Sequence, residues 1–235
     1  MRFSLLVLRI TDRQWLTAML HDGRGVIFDL DGVLIDSEPL HCRAFQAVLR
    51  SYGVTLAEHD YYARYIVYSD REVLERLLPH REMVEAAVAA KEQRYWDLVE
   101  AGVPPFRDGL ALLAKAVGWR VALATGSIRR EAEAALRCLG IRDRFGVVVT
   151  REDCRQGKPD PEPFLRAAEG LGLAPCRCVV IEDTPGGVQA AKSAGMIAVA
   201  VTHTCPHSQL IGADLVVDDL GGVDLDEVLT PRGTR

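Results

Sequence analysis

The sequence predicts an α/β protein: a doubly wound, mostly parallel sheet with an inserted helical cap domain. Three observations lead there. Beyond about residue 109, short apolar runs alternate with helix-length segments, the pattern of a parallel sheet with helices on both faces. Residues 37–103, by contrast, read as helical. Polar clusters also recur just after the apolar runs, where sheets of this kind bind ligands.

Taken in order, "GVIFD" (25–29) is a short, fully apolar strand of a buried sheet. After the loop "DLDGVLIDS", Ser37 is the predicted N-cap of a helix with Pro39 in its first turn. Leu40, Ala44, Ala47 and Val48 then recur at helical spacing. "DREVLERLL" and "REMVEAAVAAKEQRYWDLVEAG" continue the helical block, and "VPPFRDG" (103–109) reads as a hinge. Next come a strand "WRVALAT", a helix closed by Gly140, a strand "GVVVT" and a helix "PEPFLRAAEGLG". A strand "CVVIED", a helix closed by Gly195, and two last strands, "IAVAV" and "DLVV", complete the order.

Composition narrows the function classes. A chain of 235 residues suits one large α/β domain or a core with a smaller insert. Its net charge of −5 gives no basic face for nucleic acid, and no stretch reaches the roughly 20 apolar residues of a membrane span. The six cysteines are scattered, as expected of reduced thiols in a cytoplasmic protein. Cys176 and Cys178 are not spaced as a redox pair, and His203, Cys205 and His207 in "HTCPH" read as an ordinary loop after a strand. "FSLLVL" near the start is short and lacks a following cleavage site, so no signal peptide is expected. For residues 1–22 three readings stand: an extension, an extra strand with a helical turn, or an upstream start preceding Met19.

Four polar clusters fall at predicted strand ends: Asp29 and Asp31, then Thr125, Gly126 and Ser127, then Lys158 and Asp160, then Glu182 and Asp183. The fold should bring all four to one rim. Alone, each has an ordinary reading: a solvated turn, a helix cap, a second turn, an acidic helix start. Together, Asp29, Asp31, Glu182 and Asp183 would repel one another unless cations intervene. Lys158 supplies one positive charge, and Mg²⁺ suits carboxylates combined with a phosphate oxygen. The Thr125 hydroxyl and the backbone N–H groups of Gly126 and Ser127, placed at a helix start, would take phosphate oxygens.

"FDLDGVLIDSEPLH", "LATGS", "GKPDPEPF" and "IEDTPGGVQAAKSAGM" resemble the four motifs of the haloacid dehalogenase (HAD) superfamily of phosphatases. The insert after the first motif resembles the cap of its phosphoglycolate phosphatase and β-phosphoglucomutase branch. The resemblance spans about residues 24–220. It implies a HAD-like Rossmannoid core at 23–36 and 104–235, a helical cap at 37–103, and an extension at 1–22. It makes Asp29 the nucleophile that forms an aspartyl-phosphate and Asp31 the general acid and base. Asp29, the Asp31 carbonyl and Asp183 would hold Mg²⁺, with Glu182 as a ligand or its partner, and Thr125 and Lys158 would hold the phosphoryl oxygens.

Asp36, Ser37 and His41 resemble the segment leading into the cap, and Ser37, His41, Arg71 and Lys91 are its candidate substrate contacts. His41 would couple cap closure to Asp31, or simply occupy a helix face. Arg71 would reach an anionic or hydroxylated substrate, or be solvated. Lys91 matches a cap lysine only weakly and reads as a solvated face. Val67 stands where the branch usually has glycine. The implied activity is Mg²⁺-dependent hydrolysis of a small phosphate ester, of sugar phosphate or phosphoglycolate type, by a monomer or small homo-oligomer. The alternative is β-phosphoglucomutase-type transfer between sugar positions. A non-catalytic relative would have lost Asp29, Asp31 or Lys158, and a dehalogenase would not need Asp31.

Overall fold

A computed structural model of the chain describes residues 23–66 and 68–230. The expectations for residues 1–22 and for Val67 lie outside them.

Six parallel strands form one sheet in the order β3-β2-β1-β4-β5-β6. They are β1 (Gly25–Phe28), β2 (Arg120–Ala124), β3 (Val147–Val149), β4 (Cys178–Glu182), β5 (Ile197–Val201) and β6 (Leu215–Val217). Phe28 pairs with Leu123 on one side and with Ile181 on the other, so the ends of β1, β2 and β4 lie level. The chain order reverses direction beside β1, which opens a crevice at these strand ends.

Side chains alternate across the sheet. Val26, Phe28, Leu123, Val179 and Ile181 face one apolar core; Ile27, Ala122, Ala124 and Val180 face the other. The first core is covered by α5 (Arg107–Lys115), α6 (Arg129–Cys138) and α9 (Leu225–Leu229); the second by α7 (Glu162–Leu171) and α8 (Pro185–Ser193). Small Ala and Gly residues on α7 and α8 bring these helices close to the sheet.

Between β1 and β2 lie α1 (Glu38–Ser51), α2 (Glu58–Arg64), α3 (Asp70–Leu77) and α4 (Val84–Ala101). Phe45, Leu49, Tyr61, Val73, Leu74 and Ala87 form a third apolar cluster there. Ala47, expected on the buried face of α1, is exposed; Phe45 and Leu49 are buried instead. Ser69 closes a capping box at the start of α3 with Glu72. Ser37 precedes α1 but makes no side-chain cap, because its backbone already has helical dihedrals (φ −81°, ψ −19°).

The chain leaves and re-enters the sheet through two linkers that pair with each other. Ile35 bridges Pro105 in antiparallel fashion, the Asp36 N–H donates to the Pro104 carbonyl at 2.8 Å, and the Phe106 N–H donates to the Leu34 carbonyl at 3.0 Å. The expected hinge at 103–109 is therefore shorter than its sequence implied, since α5 already begins at Arg107. Gly109 serves contact rather than bending: a Cβ there would lie 2.0 Å from the Val33 carbonyl oxygen.

Candidate active site

The ends of β1 and β4 place three carboxylates together. Oxygens of Asp29, Glu182 and Asp183 lie within 4.8 Å of one another, and all three residues are buried. Lys158, from the loop before α7, reaches in from the side. Its Nζ donates to Asp29 Oδ1 at 2.6 Å and to Glu182 Oε1 at 2.5 Å. The other Glu182 oxygen accepts the backbone N–H groups of Asp183 and Thr184 and the Thr184 hydroxyl. The Thr184 hydroxyl oxygen also accepts the Gly187 N–H, capping α8.

Two glycines make this crowding feasible. Gly32 adopts φ 75°, and a Cβ there would sit 1.8 Å from Asp183 Oδ2. The Cβ of any other residue at 187 would fall 1.8 Å from the Glu182 carboxyl carbon.

One ammonium does not balance three carboxylates. Burial, then Glu182 and Asp31, push the Asp29 carboxyl up to about 7, although Lys158 opposes them. Burial, Glu182 and Asp29 push Asp183 up to about 9. Burial acts on Glu182 too, but Lys158 and two backbone N–H groups overcome it and hold that carboxyl below its ordinary range. Lys158 itself is held well above the ordinary ammonium range: burial works against its charge, and Asp29 and Glu182 more than offset that. Asp183 Oδ1 is buried without a hydrogen-bond partner. An all-oxygen donor set, excess negative charge and an unpartnered buried oxygen fit a hard divalent cation such as Mg²⁺. Asp29, Asp183 and Glu182 are the residues that would hold it. The Asp31 carboxylate lies outside this group, which leaves its carbonyl as the donor the sequence implied.

Asp31 is tied instead to the segment after β2. Its Oδ2 accepts the Ser127 hydroxyl at 2.7 Å, while its Oδ1 is buried and unpartnered. Thr125 is buried after β2, and its hydroxyl oxygen accepts the Ser127 N–H at 3.0 Å. In this structure Thr125 occupies the Ser127 N–H that was expected to take a phosphate oxygen. The Ser127 hydroxyl orients Asp31, a contact no sequence spacing announces. Gly126 and Ser127 also precede α6, which starts at Arg129, so their N–H groups are not in its first turn. A Cβ at Gly126 would meet nothing within 4 Å.

Among the cap-side candidates, His41 lies against Lys91, whereas Arg71 lies apart on the surface. Lys91 is only 1% exposed, which overturns its reading as a solvated face. Its Nζ lies 2.6 Å from Asp70 Oδ2 and 2.6 Å from His41 Nδ1, over the rings of Phe45 and Tyr95. Burial and the adjacent ammonium hold the His41 imidazole well below its ordinary range, so Nδ1 is an acceptor. His41 stacks on Tyr95 at 4.0 Å, and the Ser37 hydroxyl lies against the Tyr95 phenol. His41 is therefore joined to Lys91, not to Asp31. Arg71 forms a two-pronged pair with Glu85 at 2.5 and 2.9 Å on the surface, which occupies the guanidinium expected to meet substrate.

Residues 24–195 match the family described as haloacid dehalogenase-like hydrolase. The chain belongs to the haloacid dehalogenase-like hydrolases. It is 37% identical over 178 residues to a phosphorylated carbohydrates phosphatase of Thermotoga maritima, covering 73% of this chain and 82% of that one. It is 31% identical over 213 residues to the β-phosphoglucomutase of Bacillus subtilis, covering 86% and 92%. The crystal structure of CbbY from Rhodobacter sphaeroides with phosphate superposes with a TM-score of 0.71 at 28% identity, covering 85% of this chain and 95% of that one. Among the described residues, no helix is long and apolar enough to cross a membrane.

Proposed function

We propose that this HAD-like hydrolase cleaves the phosphate monoester of a small phosphorylated metabolite, of sugar phosphate or phosphoglycolate type, through an aspartyl-phosphate on Asp29. The observation that carries the reading is the Asp29–Lys158–Glu182–Asp183 cluster, with Asp31 tied separately to the segment after β2. Lys158 holds one oxygen of Asp29, leaving the other to attack phosphorus. The new P–O bond forms as the ester P–O bond breaks, and Asp31 gives the departing alkoxide its proton. Asp31 then takes a proton from water, whose oxygen attacks phosphorus. Inorganic phosphate leaves and the Asp29 carboxylate returns. Lys158 and the Thr125 hydroxyl offset the charge on the phosphoryl oxygens. Mg²⁺, when bound by Asp29, Asp183 and Glu182, would lower the repulsion between an anionic carboxylate and an anionic phosphate.

Similarity to a sugar phosphatase supports hydrolysis; similarity to a β-phosphoglucomutase supports the second reading, transfer between sugar positions. The two cap cations named as candidate substrate contacts, Lys91 and Arg71, weigh toward hydrolysis. Lys91 and Arg71 are both engaged by carboxylates, so neither is free to receive a second phosphate.

The test is phosphate release over a panel of phosphorylated metabolites with Mg²⁺, beside Asp29→Asn. Wild type should release phosphate, and Asp29→Asn should lose on the order of 10³-fold or more. On β-glucose 1-phosphate, glucose 6-phosphate appearing faster than phosphate would select the mutase. Release from no member of the panel would refute hydrolysis.

A further inference from the structure

The loop after β5 holds a contact the proposed mechanism does not use. His203 Nδ1 lies 2.8 Å from the carbonyl oxygen of Gly32, the residue following Asp31. Its Nε2 lies 3.1 Å from Asp108 Oδ2, at the start of α5. The imidazole stacks on Phe106 of the return linker, with ring centroids 3.9 Å apart and planes 10° from parallel. Asp108 Oδ2 in turn accepts the Leu220 N–H at 2.9 Å. The His203 and Asp108 side chains are only 13% and 14% exposed. Both ring nitrogens face acceptors, a carbonyl and a carboxylate. The nearby Asp36 carboxyl, raised by burial, is drawn back by the same ring.

One side chain thus joins three separate pieces: the loop bearing Asp31, the linker returning from the helical insert, and, through Asp108, the C-terminal segment. The backbone that carries Asp31 cannot shift without moving the carbonyl that His203 holds, because Gly32 is the next residue. We propose that His203 is a positioning residue for Asp31, seating the proton donor against the cap linker. The inference rests on Asp31 being the proton donor. His203 meets neither phosphate nor metal in this role; it acts through the Gly32 carbonyl.

A leaving group's need for a proton separates this role from general support of the fold. The alkoxide leaving an alkyl phosphate must receive a proton as it departs, whereas p-nitrophenolate leaves without one. For His203→Ala, kcat/KM should fall about 10–100-fold on the best sugar phosphate of the panel. On p-nitrophenyl phosphate it should fall less than about threefold. His203→Asn keeps a donor near the Gly32 carbonyl and should recover part of the loss; it also serves if the alanine variant folds poorly, as thermal unfolding would report. Asp31→Asn is the control and should show the same split, more strongly. Equal losses on both substrates, or no loss, for the His203 variants would overturn the inference while leaving the Asp31 assignment intact. No split for Asp31→Asn would overturn both.

Discussion

The rim of the sheet and the helical insert balance charge in opposite ways. At the rim, three buried carboxylates share the single ammonium of Lys158, two are pushed far up, and Asp183 Oδ1 has no partner. In the insert, the buried ammonium of Lys91 has a carboxylate, a neutral imidazole and two aromatic faces to itself. The first set lacks partners for its charges; the second pairs its one ammonium, although burial still holds Lys91 below its ordinary range. Incompleteness in a buried polar set has a cost, so its persistence marks a place kept for a ligand. A paired set reads as a device that fixes how helices pack.

The strongest way to break this contrast is at Lys158. Lys158→Ala should lower kcat about 10²–10³-fold, since it removes a preorganised cation from the transferring group. A variant turning over at the wild-type rate would place the chemistry elsewhere. The next effect sharpens the claim that the rim awaits a cation. With the Asp29 and Asp183 carboxyls raised to about 7 and about 9, the folded chain without metal binds more protons there than the unfolded chain does. Those two groups therefore weaken the fold as pH climbs from about 4, where unfolded carboxyls ionise, up through about 7 and about 9, and a bound cation relieves them. Saturation at 100 times Kd adds about 2.7 kcal/mol, roughly 5–10 °C in Tm for a chain of this size. The Mg²⁺-induced rise in Tm should be clearly larger at about pH 8 than at about pH 5.5; an equal or reversed rise would contradict the charge argument. The smallest effect concerns the insert. Asp70→Asn leaves the Lys91 ammonium without its anion. Because Asp70 is one-third exposed, the expected cost is about 1–2 kcal/mol rather than the 3–5 of a fully buried pair. Adding Lys91→Met should restore most of it. Urea denaturation of the single and double variants measures both, and a costless Asp70→Asn would show that the pair does not secure the insert.

How legible these regions were differs for physical reasons. Strand and helix order was readable because β-strands with both faces covered are uniformly apolar and their helices are capped by Gly and Pro. Asp29, Thr125, Lys158 and Asp183 could then be placed by one rule, the position of ligands at strand ends. The tightness of the site was not readable. That Gly32 leaves room for Asp183 depends on β1 and β4 being neighbours although some 150 residues separate them in sequence. Lys91 was misread by residue type although its spacing was informative. Val84, Ala87, Lys91, Tyr95 and Leu98 recur at intervals of three and four and are all buried on α4, so Lys91 lies on the apolar stripe. The hinge was drawn too long because Pro104, Pro105 and Gly109 resemble loop punctuation, whereas Gly109 is there for its closeness to Val33. His203 had no local signal: its partners, Gly32, Phe106 and Asp108, lie roughly 95–170 positions away.

The paired linkers also bear on how such a chain can change. Ile35 and Pro105 face each other across an antiparallel bridge, where opposed Cα atoms stand about 4.5–5.5 Å apart. The segment between them therefore departs and returns at a single doorway, and the sheet is indifferent to its length. A replacement segment has to match only that narrow spacing at its two ends, a requirement ordinary domains with adjacent termini meet. The chain is in effect a socket with an exchangeable insert: the rim that carries Asp29 and Lys158 stays put while the segment between the linkers can be traded wholesale.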